Sequence, residues 1–490
     1  MMARAVTAEP ATLGPPGERD GVGLRGRAVE SGMFLAFRSG AGMLLSLLGI
    51  LLLTRRIGSS AYGVYAGGLG ILVFLQALAQ WGVSTYLLRA DHQDLERATP
   101  VAQTVTLVGA AASVILGLVS LPLLAHWLNL PDFPRVAGAL FLGLPLVAVG
   151  QVPLTLMERQ LAYRTVATIE LAGQATFYAV ALVLAWQGAG VWAPVAGWWA
   201  QYVLLTVLQY GAAGIRPGLA WEPRLGKAMV RNGLTLTAAT WVWSLRALVN
   251  PLVVGHFVGA SGVGQVAVAV RLTEVIGFVR TAAWRIGLSV FGRFARDTDR
   301  LRMVLSEAMH AQVLVLGAVF VLFALAAPVM VPLVLGPAWA PVARVFPFVA
   351  LGYLVNAVFS LHSAALYMVG RNAAVLTFHL FHVALFAGSA LLLVPRVGVM
   401  GYGYAECVAL LSYALVHYHL VRRIGSPRIL LPLSWGMASA LAMFYAELGL
   451  LAFSGLVLLP MFPAHRRALT GLIRDVRAVR NKLQAPGPPV

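Results

Sequence analysis

Long apolar runs follow one another through most of this 490-residue chain and limit what it can fold into. Many are about 20 residues long, the length that an α-helix needs to cross the hydrocarbon core of a bilayer. Charged residues make up only 11% of the sequence, whereas roughly a quarter is usual in soluble proteins. The sequence therefore predicts an all-α polytopic membrane protein and excludes a soluble domain.

We expect fourteen membrane spans. They lie at about residues 32–54, 64–88, 101–128, 136–157, 165–187, 190–213, 233–257, 264–290, 308–333, 343–368, 372–395, 400–421, 428–446 and 448–463. The last two are short and closely joined, so one broken element is an alternative.

The basic residues lie mainly between these runs and give the chain its formal net charge of +18. If the N-terminus is cytoplasmic, most of the 36 lysines and arginines fall on the cytoplasmic side. Membrane proteins favour that arrangement. The sequence thus predicts that both termini face the cytoplasm, and the basic charge needs no nucleic-acid partner to explain it.

The two halves of the chain share a pattern that indicates an internal repeat. Residues 52–71 read LLTRRIGSSAYGVYAGGLGI, and residues 253–272 read VVGHFVGASGVGQVAVAVRL. Because each copy contains six spans, both insert in the same orientation, with a symmetry axis along the membrane normal. We therefore predict two pseudo-symmetric six-helix bundles with a cavity between them. The matched glycines are Gly58 and Gly63 in the first copy and Gly259 and Gly264 in the second.

This pattern divides the chain into six predicted parts. The tail at its C-terminal end has apolar residues at helical spacing opposite a basic face, which is typical of a helix lying on a membrane surface. The parts are a disordered cytoplasmic tail (1–31), an N-terminal six-helix bundle (32–213), a cytoplasmic linker (214–232), a C-terminal six-helix bundle (233–421), two extra spans (428–463) and a basic amphipathic tail (464–490).

Polar side chains within the spans mark candidate binding positions, because an arginine at the centre of a membrane helix costs about 2.5–3.5 kcal/mol. In the seventh span, Arg246 and Asn250 share a stripe with Trp243, and Pro251 predicts a kink beside them. The eighth span contributes further candidates, and Arg280 falls on its opposite face. The complete set of cavity candidates is Arg38, Arg246, Asn250, Arg271, Glu274 and Arg285, with Glu170 as a candidate for ion coupling.

Other interpretations of these residues stay open at this point. Arg271 and Glu274 can neutralise each other at i, i+3, Arg285 can reach lipid headgroups, and Glu170 can pair with a distant arginine. The spans contain about five arginines but only three carboxylates, the third being Glu406. We therefore expect a net positive cavity that suits an anionic passenger such as a phosphate or an acidic sugar.

No enzyme signature accompanies these residues. The GxGxxA match at residues 262–267 joins two spans, whereas a dinucleotide site needs this motif between a strand and a helix. No catalytic residue, metal or cofactor is predicted.

Four segments resemble those of Wzx-type polysaccharide flippases in the multidrug/oligosaccharidyl-lipid/polysaccharide exporter superfamily. They read GSSAYGVYAGGLGI, YRTVATIELAGQA with GVWAPVAGWWAQ, LVNPLVVGHFVGASGVGQVAVAVRLTEV, and LGPAWAPVARVFPFVALGYLVNAV. The resemblance implies two bundles in a V around a cationic lumen. It also implies transfer of undecaprenyl-pyrophosphate-linked oligosaccharides across the bacterial inner membrane for O-antigen, exopolysaccharide or capsule. Asn250 stands where members commonly have Asp, which argues against ion coupling at that position.

On this interpretation the partners are a lipid-linked anionic oligosaccharide and membrane lipids, with a polysaccharide polymerase and chain-length proteins as further candidates. Three alternatives are kept. A flippase for the peptidoglycan precursor would need the same fold and an anionic lipid. A drug or cation antiporter would need a carboxylate-rich cavity, and a membrane glycosyltransferase would need a catalytic carboxylate and large outer loops.

Overall fold

The computed structural model describes residues 18–277 and 297–471, together with Arg474. Side chains are described from Gly42 onward, except those of His92, Asn232, Thr235 and Leu236. Within these ranges the regular structure is entirely helical. This confirms the predicted fold class.

The N-terminal bundle has a core in which Phe133, Leu140 and Phe141 are fully buried. Its longest helix, α1, covers two predicted spans because it continues through a kink at Gly58. The helices are α1 (Glu18–Ala79), α2 (Val83–Arg89), α3 (Leu95–Leu128), α4 (Phe133–Phe141), α5 (Leu144–Arg159), α6 (Tyr163–Trp186) and α7 (Trp192–Ala213).

The C-terminal bundle begins with a helix whose backbone is irregular in its second half. After α8 (Pro223–Ser244), a 3₁₀ turn spans Leu245–Leu248 and a π-helical turn spans Asn250–Val254. The remaining helices are α9 (Gly255–Val258), α10 (Ala260–Ile276), α11 (Thr298–Leu335), α12 (Ala340–Met368), α13 (Asn372–Val397), α14 (Val399–Ala409) and α15 (Tyr413–Ile424).

Two short apolar segments follow this bundle. The helix α16 (Leu430–Met443) is bent by 70° from the helical segment Tyr445–Met461. Eight described helices are long and apolar enough to cross a membrane, and the bent pair brings the number to nine if it is one span. The total of fourteen spans and the orientation of the termini stay predictions.

The outer surface of the bundles is apolar, as expected for a protein surrounded by lipid. Val119 and Leu123 on α3 are 74% and 71% exposed, and Val329 and Leu333 on α11 are each 72% exposed. These side chains lie on helices whose other faces are buried in the bundles. The apolar runs of the sequence therefore serve both the helix contacts and the outer surface.

Two helices begin before the predicted spans, and the division of the chain into six parts stays a prediction. Helix α1 begins at Glu18, so residues 18–31 of the predicted disordered tail are helical. Hydropathy marks only the apolar part of a helix, and no proline interrupts the chain between Pro16 and Pro100. Likewise, α8 begins at Pro223 inside the predicted linker, because proline is favoured in the first turn of a helix.

The repeat predicted from the sequence has a structural counterpart in the backbone. Gly58 has φ 83° and ψ 169°, and Gly259 has φ 84° and ψ −174°. Residues with a side chain rarely adopt this positive φ. The two matched glycines therefore make the same sharp change of direction, before the second part of α1 and before α10.

The helices that follow these glycines cross at very short range, and we call this contact the first crossing. A Cβ atom on Gly63 would lie 1.7 Å from the Ala260 carbonyl oxygen. A Cβ atom on Gly264 would lie 2.3 Å from the Ser59 carbonyl oxygen. The offset of 201 residues that relates Gly63 to Gly264 also relates Ser59 to Ala260, so each contact is the symmetry counterpart of the other. A two-fold axis between the bundles requires such a pair of contacts.

The first crossing can be tested by a cross-link. The Ser59 and Ser261 hydroxyl oxygens are 2.7 Å apart, and Cys407 is the single cysteine of the sequence. In a Cys407→Ser background, we expect the pair Ser59→Cys and Ser261→Cys to form a disulfide on mild oxidation. A mobility shift on non-reducing gels, reversed by reductant, measures it. Single-cysteine variants are the controls, and an absent shift under oxidant would contradict the crossing.

The bundles also meet at a second place, which we call the second crossing. A Cβ atom on Gly82 would lie 2.2 Å from the Cα atom of Gly233, and one on Gly233 would lie 2.3 Å from the Cα atom of Gly82. Nearby, the Trp241 indole donates a hydrogen bond of 2.7 Å to the Ala77 carbonyl oxygen. The bundles are thus joined at two separate places, with the cavity described below between them.

Candidate functional site in the central cavity

Two adjoining chambers occupy the space between the bundles. The first, of about 620 Å³, is lined largely by the N-terminal bundle, and the second, of about 500 Å³, largely by the C-terminal bundle. Both include Arg246 and Glu274 in their walls. These two residues therefore stand where the chambers meet.

The backbone that presents Arg246 is not a regular α-helix. Arg246 lies in the 3₁₀ turn after α8, and Asn250 opens the π-helical turn that follows. Pro251, which lacks a backbone donor, lies inside that turn. Such π-helical turns are frequent at functional sites. The predicted kink beside Pro251 is therefore a local change of helix type.

Arg246 forms an ion pair with a carboxylate from a distant part of the chain. Its Nη2 atom is 2.5 Å from Oε1 of Glu406 on α14. The Glu406 side chain is 2% exposed, whereas that of Arg246 is 32% exposed toward the cavity. The guanidinium carbon lies 5.2 Å from the ring centre of Trp243 and 5.5 Å from that of Phe386. Arg246 is thus held by one carboxylate and two aromatic rings.

Arg271 is bound more loosely than Arg246. Its Nη1 atom is 3.5 Å from Oε2 of Glu274, and both side chains are close to half exposed. Its Nη2 atom donates a hydrogen bond of 3.0 Å to the Ser46 hydroxyl on α1. The i, i+3 pairing proposed from the sequence is present, yet it leaves this guanidinium accessible in the first chamber.

Aromatic and amide side chains form much of the first chamber. Tyr178 donates a hydrogen bond of 3.1 Å to the Ser46 carbonyl oxygen and packs edge-to-face on Phe177 at 4.9 Å. Aromatic faces with neighbouring amides provide both apolar contact and hydrogen bonding to a polar ligand. The other aromatic and amide groups that line this chamber are Tyr62, Tyr65, Trp198, Tyr202, Tyr402, Gln174, Gln201 and Asn250.

The described side chains show part of the charge balance of the cavity. The described side chains that line the cavity include two arginines, Arg246 and Arg271, and three carboxylates, those of Glu170, Glu274 and Glu406. The expected excess of arginine is therefore not present in the described part of the cavity. Arg38 and Arg285, which the prediction included, lie outside the described side chains, so a net positive cavity stays a prediction.

The structure places the remaining candidates as follows. Asn250 lines the first chamber and donates a hydrogen bond of 3.2 Å to the Val263 carbonyl oxygen. Glu170 lines the same chamber, and its predicted role in ion coupling is untested. Arg38 belongs to α1, but its side chain lies outside the described residues, as do the whole of Arg280 and Arg285.

Glu406 is the main site residue absent from our sequence-based candidates. The sequence shows it as one of the few carboxylates within the spans, but it is 160 residues from Arg246. Spacing along one helix can pair Arg271 with Glu274, but it carries no information about such a distant contact. The only available signal was the cost of a carboxylate in a span, which requires a partner.

The sequence matches that of a known protein family. The model of a family described as polysaccharide biosynthesis protein matches residues 52–344, which is more than half of the chain. The chain belongs to this polysaccharide biosynthesis protein family. The match includes both glycines of each repeat copy and the charged residues Arg246, Arg271 and Glu274. The family resemblance inferred from the motifs is confirmed.

Two relatives of this family member have names that refer to surface polysaccharides. The succinoglycan biosynthesis transport protein ExoT of Rhizobium meliloti (strain 1021) is 22% identical over 299 residues, and the match spans 60% of each chain. The lipopolysaccharide biosynthesis protein WzxC of Escherichia coli (strain K12) is 22% identical over 361 residues, or 73% of each chain. Neither name describes an enzyme.

Solved structures show the same fold at low sequence identity. The lipid II flippase MurJ in an inward closed conformation has a TM-score of 0.70 and 13% identity, covering 91% of this chain and 99% of its own. An inward-facing multidrug resistance MATE transporter of the MOP superfamily has a TM-score of 0.60 and 16% identity, covering 78% and 94%. The fold is that of this superfamily, and the chain is a multi-pass protein of the bacterial inner membrane.

Proposed function

We propose that this protein moves an undecaprenyl-pyrophosphate-linked oligosaccharide across the inner membrane for the synthesis of a surface polysaccharide. The observation that carries the proposal is the position of Arg246 and Arg271 in a cavity between two bundles of a polysaccharide biosynthesis protein. Guanidinium groups bind phosphate oxygens strongly and with defined geometry. A polymerase and chain-length proteins are the candidate protein partners.

The two chambers suit the two parts of such a head group. Arg246 lies where the chambers meet and Arg271 lines the first chamber, and the two would bind the pyrophosphate. The aromatic and amide wall of the first chamber would bind sugars. The polyprenyl chain would stay in lipid. Rocking of the bundles about the two crossings would then expose the cavity to either side in turn.

The membrane potential favours outward movement of this cargo. Moving one charge through 100 mV changes the free energy by about 2.3 kcal/mol, so two negative charges leaving the cytoplasm release about 4–5 kcal/mol. This holds when no cation accompanies the cargo. In that case the transfer needs no ion coupling at Asn250 or Glu170.

An antiporter for organic cations is the second candidate, because three carboxylates line the described cavity. Two of them already have an arginine partner: Glu406 is bound by Arg246 and Glu274 by Arg271. Paired carboxylates attract cations less than free ones do. The same pairs also neutralise the two arginines, so the preference for an anionic lipid rests on the membership of the polysaccharide biosynthesis protein family.

Arg271 provides the direct test. In a strain lacking this protein, we expect the wild type to restore surface polysaccharide and Arg271→Ala to lower it by about tenfold, the cost of roughly 1.4 kcal/mol of phosphate binding. Lipid-linked oligosaccharide should then accumulate on the cytoplasmic face. Polysaccharide is measured in cell extracts and normalised to the amount of protein in the membrane.

The matched control is Arg423→Ala, which removes an exposed arginine of α15 outside the cavity and should leave export unchanged. Normal export with Arg271→Ala, or no complementation by the wild type, would contradict the proposal. Rescue of a strain depleted of its lipid II flippase would favour the peptidoglycan precursor as cargo. Loss of drug resistance on deletion would favour the antiporter.

A further inference from the structure

The Arg246–Glu406 pair neutralises one of the two arginines that line the described part of the cavity when no cargo is bound. Glu406 Oε1 forms a charge-assisted hydrogen bond with Arg246 Nη2, the kind of contact that a phosphate oxygen would also make with this group. By contrast, Arg271 has a looser partner in Glu274. The two arginines therefore differ in how readily they can bind an anion.

We infer that Glu406 is a displaceable counterion, which occupies the phosphate-binding side of Arg246 until the pyrophosphate of the cargo takes its place. This inference rests on the proposed function. It assigns Glu406 a positioning role: the carboxylate holds the guanidinium when the cavity has no cargo, and it competes with the cargo when the cargo must leave.

Arg246 keeps its position when its anionic partner changes. The rings of Trp243 and Phe386 lie 5.2 Å and 5.5 Å from its guanidinium carbon and contact it independently of Glu406. The Nε atom of Arg246 is buried and without a hydrogen-bond partner in the described part of the structure. The guanidinium therefore has donor capacity that one carboxylate does not use.

The surroundings of Glu406 leave little room behind it. A Cβ atom on Gly352 of α12 would lie 3.1 Å from Oε2 of Glu406, so the absence of a side chain there accommodates the carboxylate. Both residues line the second chamber, where the Arg246 side chain is 32% exposed and that of Glu406 is 2% exposed. An anion that enters the chamber thus reaches the guanidinium before it reaches the carboxylate.

The test measures binding of undecaprenyl pyrophosphate, the carrier without sugars, to the full-length protein in nanodiscs. Glu406→Gln should bind it about tenfold more tightly than the wild type, because a close competing charge is removed. At the same time, export by this variant should fall, since release becomes slower. Tighter binding with lower turnover is not expected from a residue whose role is only structural.

Two further variants locate the effect. Glu274→Gln is the matched control and should change the dissociation constant less, because Glu274 is half exposed and its contact with Arg271 is longer. In the double variant Arg246→Ala and Glu406→Gln, the tighter binding should disappear. Binding by folded Glu406→Gln that equals or falls below that of the wild type would overturn the inference, as would tighter binding that persists in the double variant.

If Glu406→Gln does not fold, the same binding measurement is made with Glu406→Asp. Its carboxylate is one methylene shorter, so the ion pair weakens and an intermediate gain in affinity is expected. An unchanged or weaker affinity overturns the inference. Complementation separates the two proposals: if the wild type restores export while the Glu406 variants bind no more tightly, the counterion role alone fails. If the wild type does not restore export, the proposed function fails with it.

Discussion

Replacing Gly63 with alanine is expected to abolish export of surface polysaccharide, and replacing Gly264 with alanine is expected to do the same. Each new methyl group would meet a backbone carbonyl oxygen of the other bundle, at 1.7 Å and 2.3 Å respectively. A backbone group cannot rotate away as a long side chain can. The two helices would therefore have to move apart at the first crossing. Overpacking of this kind costs about 1–3 kcal/mol or more.

The same change at Gly67 is the matched control. This glycine lies one turn further along α1, and its Cβ atom would be 3.5 Å from a ring carbon of Phe133, an ordinary contact distance. Export and the thermal midpoint of the purified protein should therefore stay near wild-type values in Gly67→Ala. If Gly63→Ala and Gly264→Ala behave like Gly67→Ala in both measurements, the close crossing is wrong.

Arg246→Met is expected to have the largest effect on stability among single substitutions in the cavity. It would leave the carboxylate of Glu406, which is 2% exposed, without its cationic partner. Removing one member of a buried ion pair costs about 3–5 kcal/mol, because the remaining charge is still buried. The expected result is a lower thermal midpoint in detergent and less protein in the membrane.

A second substitution should restore much of this loss. In Arg246→Met with Glu406→Gln no charge is left buried, so the double variant should be clearly more stable than Arg246→Met alone. The reverse single change, Glu406→Gln, should cost less, because the unpaired guanidinium is 32% exposed to the cavity and contacts two rings. Equal thermal midpoints for Arg246→Met and the double variant would contradict the ion pair.

The sequence predicted the class of protein and its repeat because both depend on local patterns. An apolar run of about 20 residues meets the length requirement of a bilayer wherever it occurs in the chain. The glycines at 58, 63, 259 and 264 are visible as a repeated spacing, and two of them require a backbone that only glycine adopts readily. The same patterns supported the family assignment.

Helix geometry predicted part of the cavity. It placed Arg246 and Asn250 on one face and paired Arg271 with Glu274, and all four line the chambers. It could not foresee the 3₁₀ and π-helical turns around these positions, because an ideal periodicity was assumed. Helix α1 also begins before the predicted span, since polar residues can continue a helix beyond its apolar part.

The sequence by itself determined that this chain is a helical membrane protein with two related halves, and that arginines within its spans needed partners. Only the tertiary structure decided which partners they have. Glu406 is 160 residues away from Arg246, and Ser46 is 225 residues away from Arg271. Contacts over such separations depend on how whole bundles pack, and no local periodicity encodes them. The charge of the cavity likewise follows from which side chains the packing turns toward it.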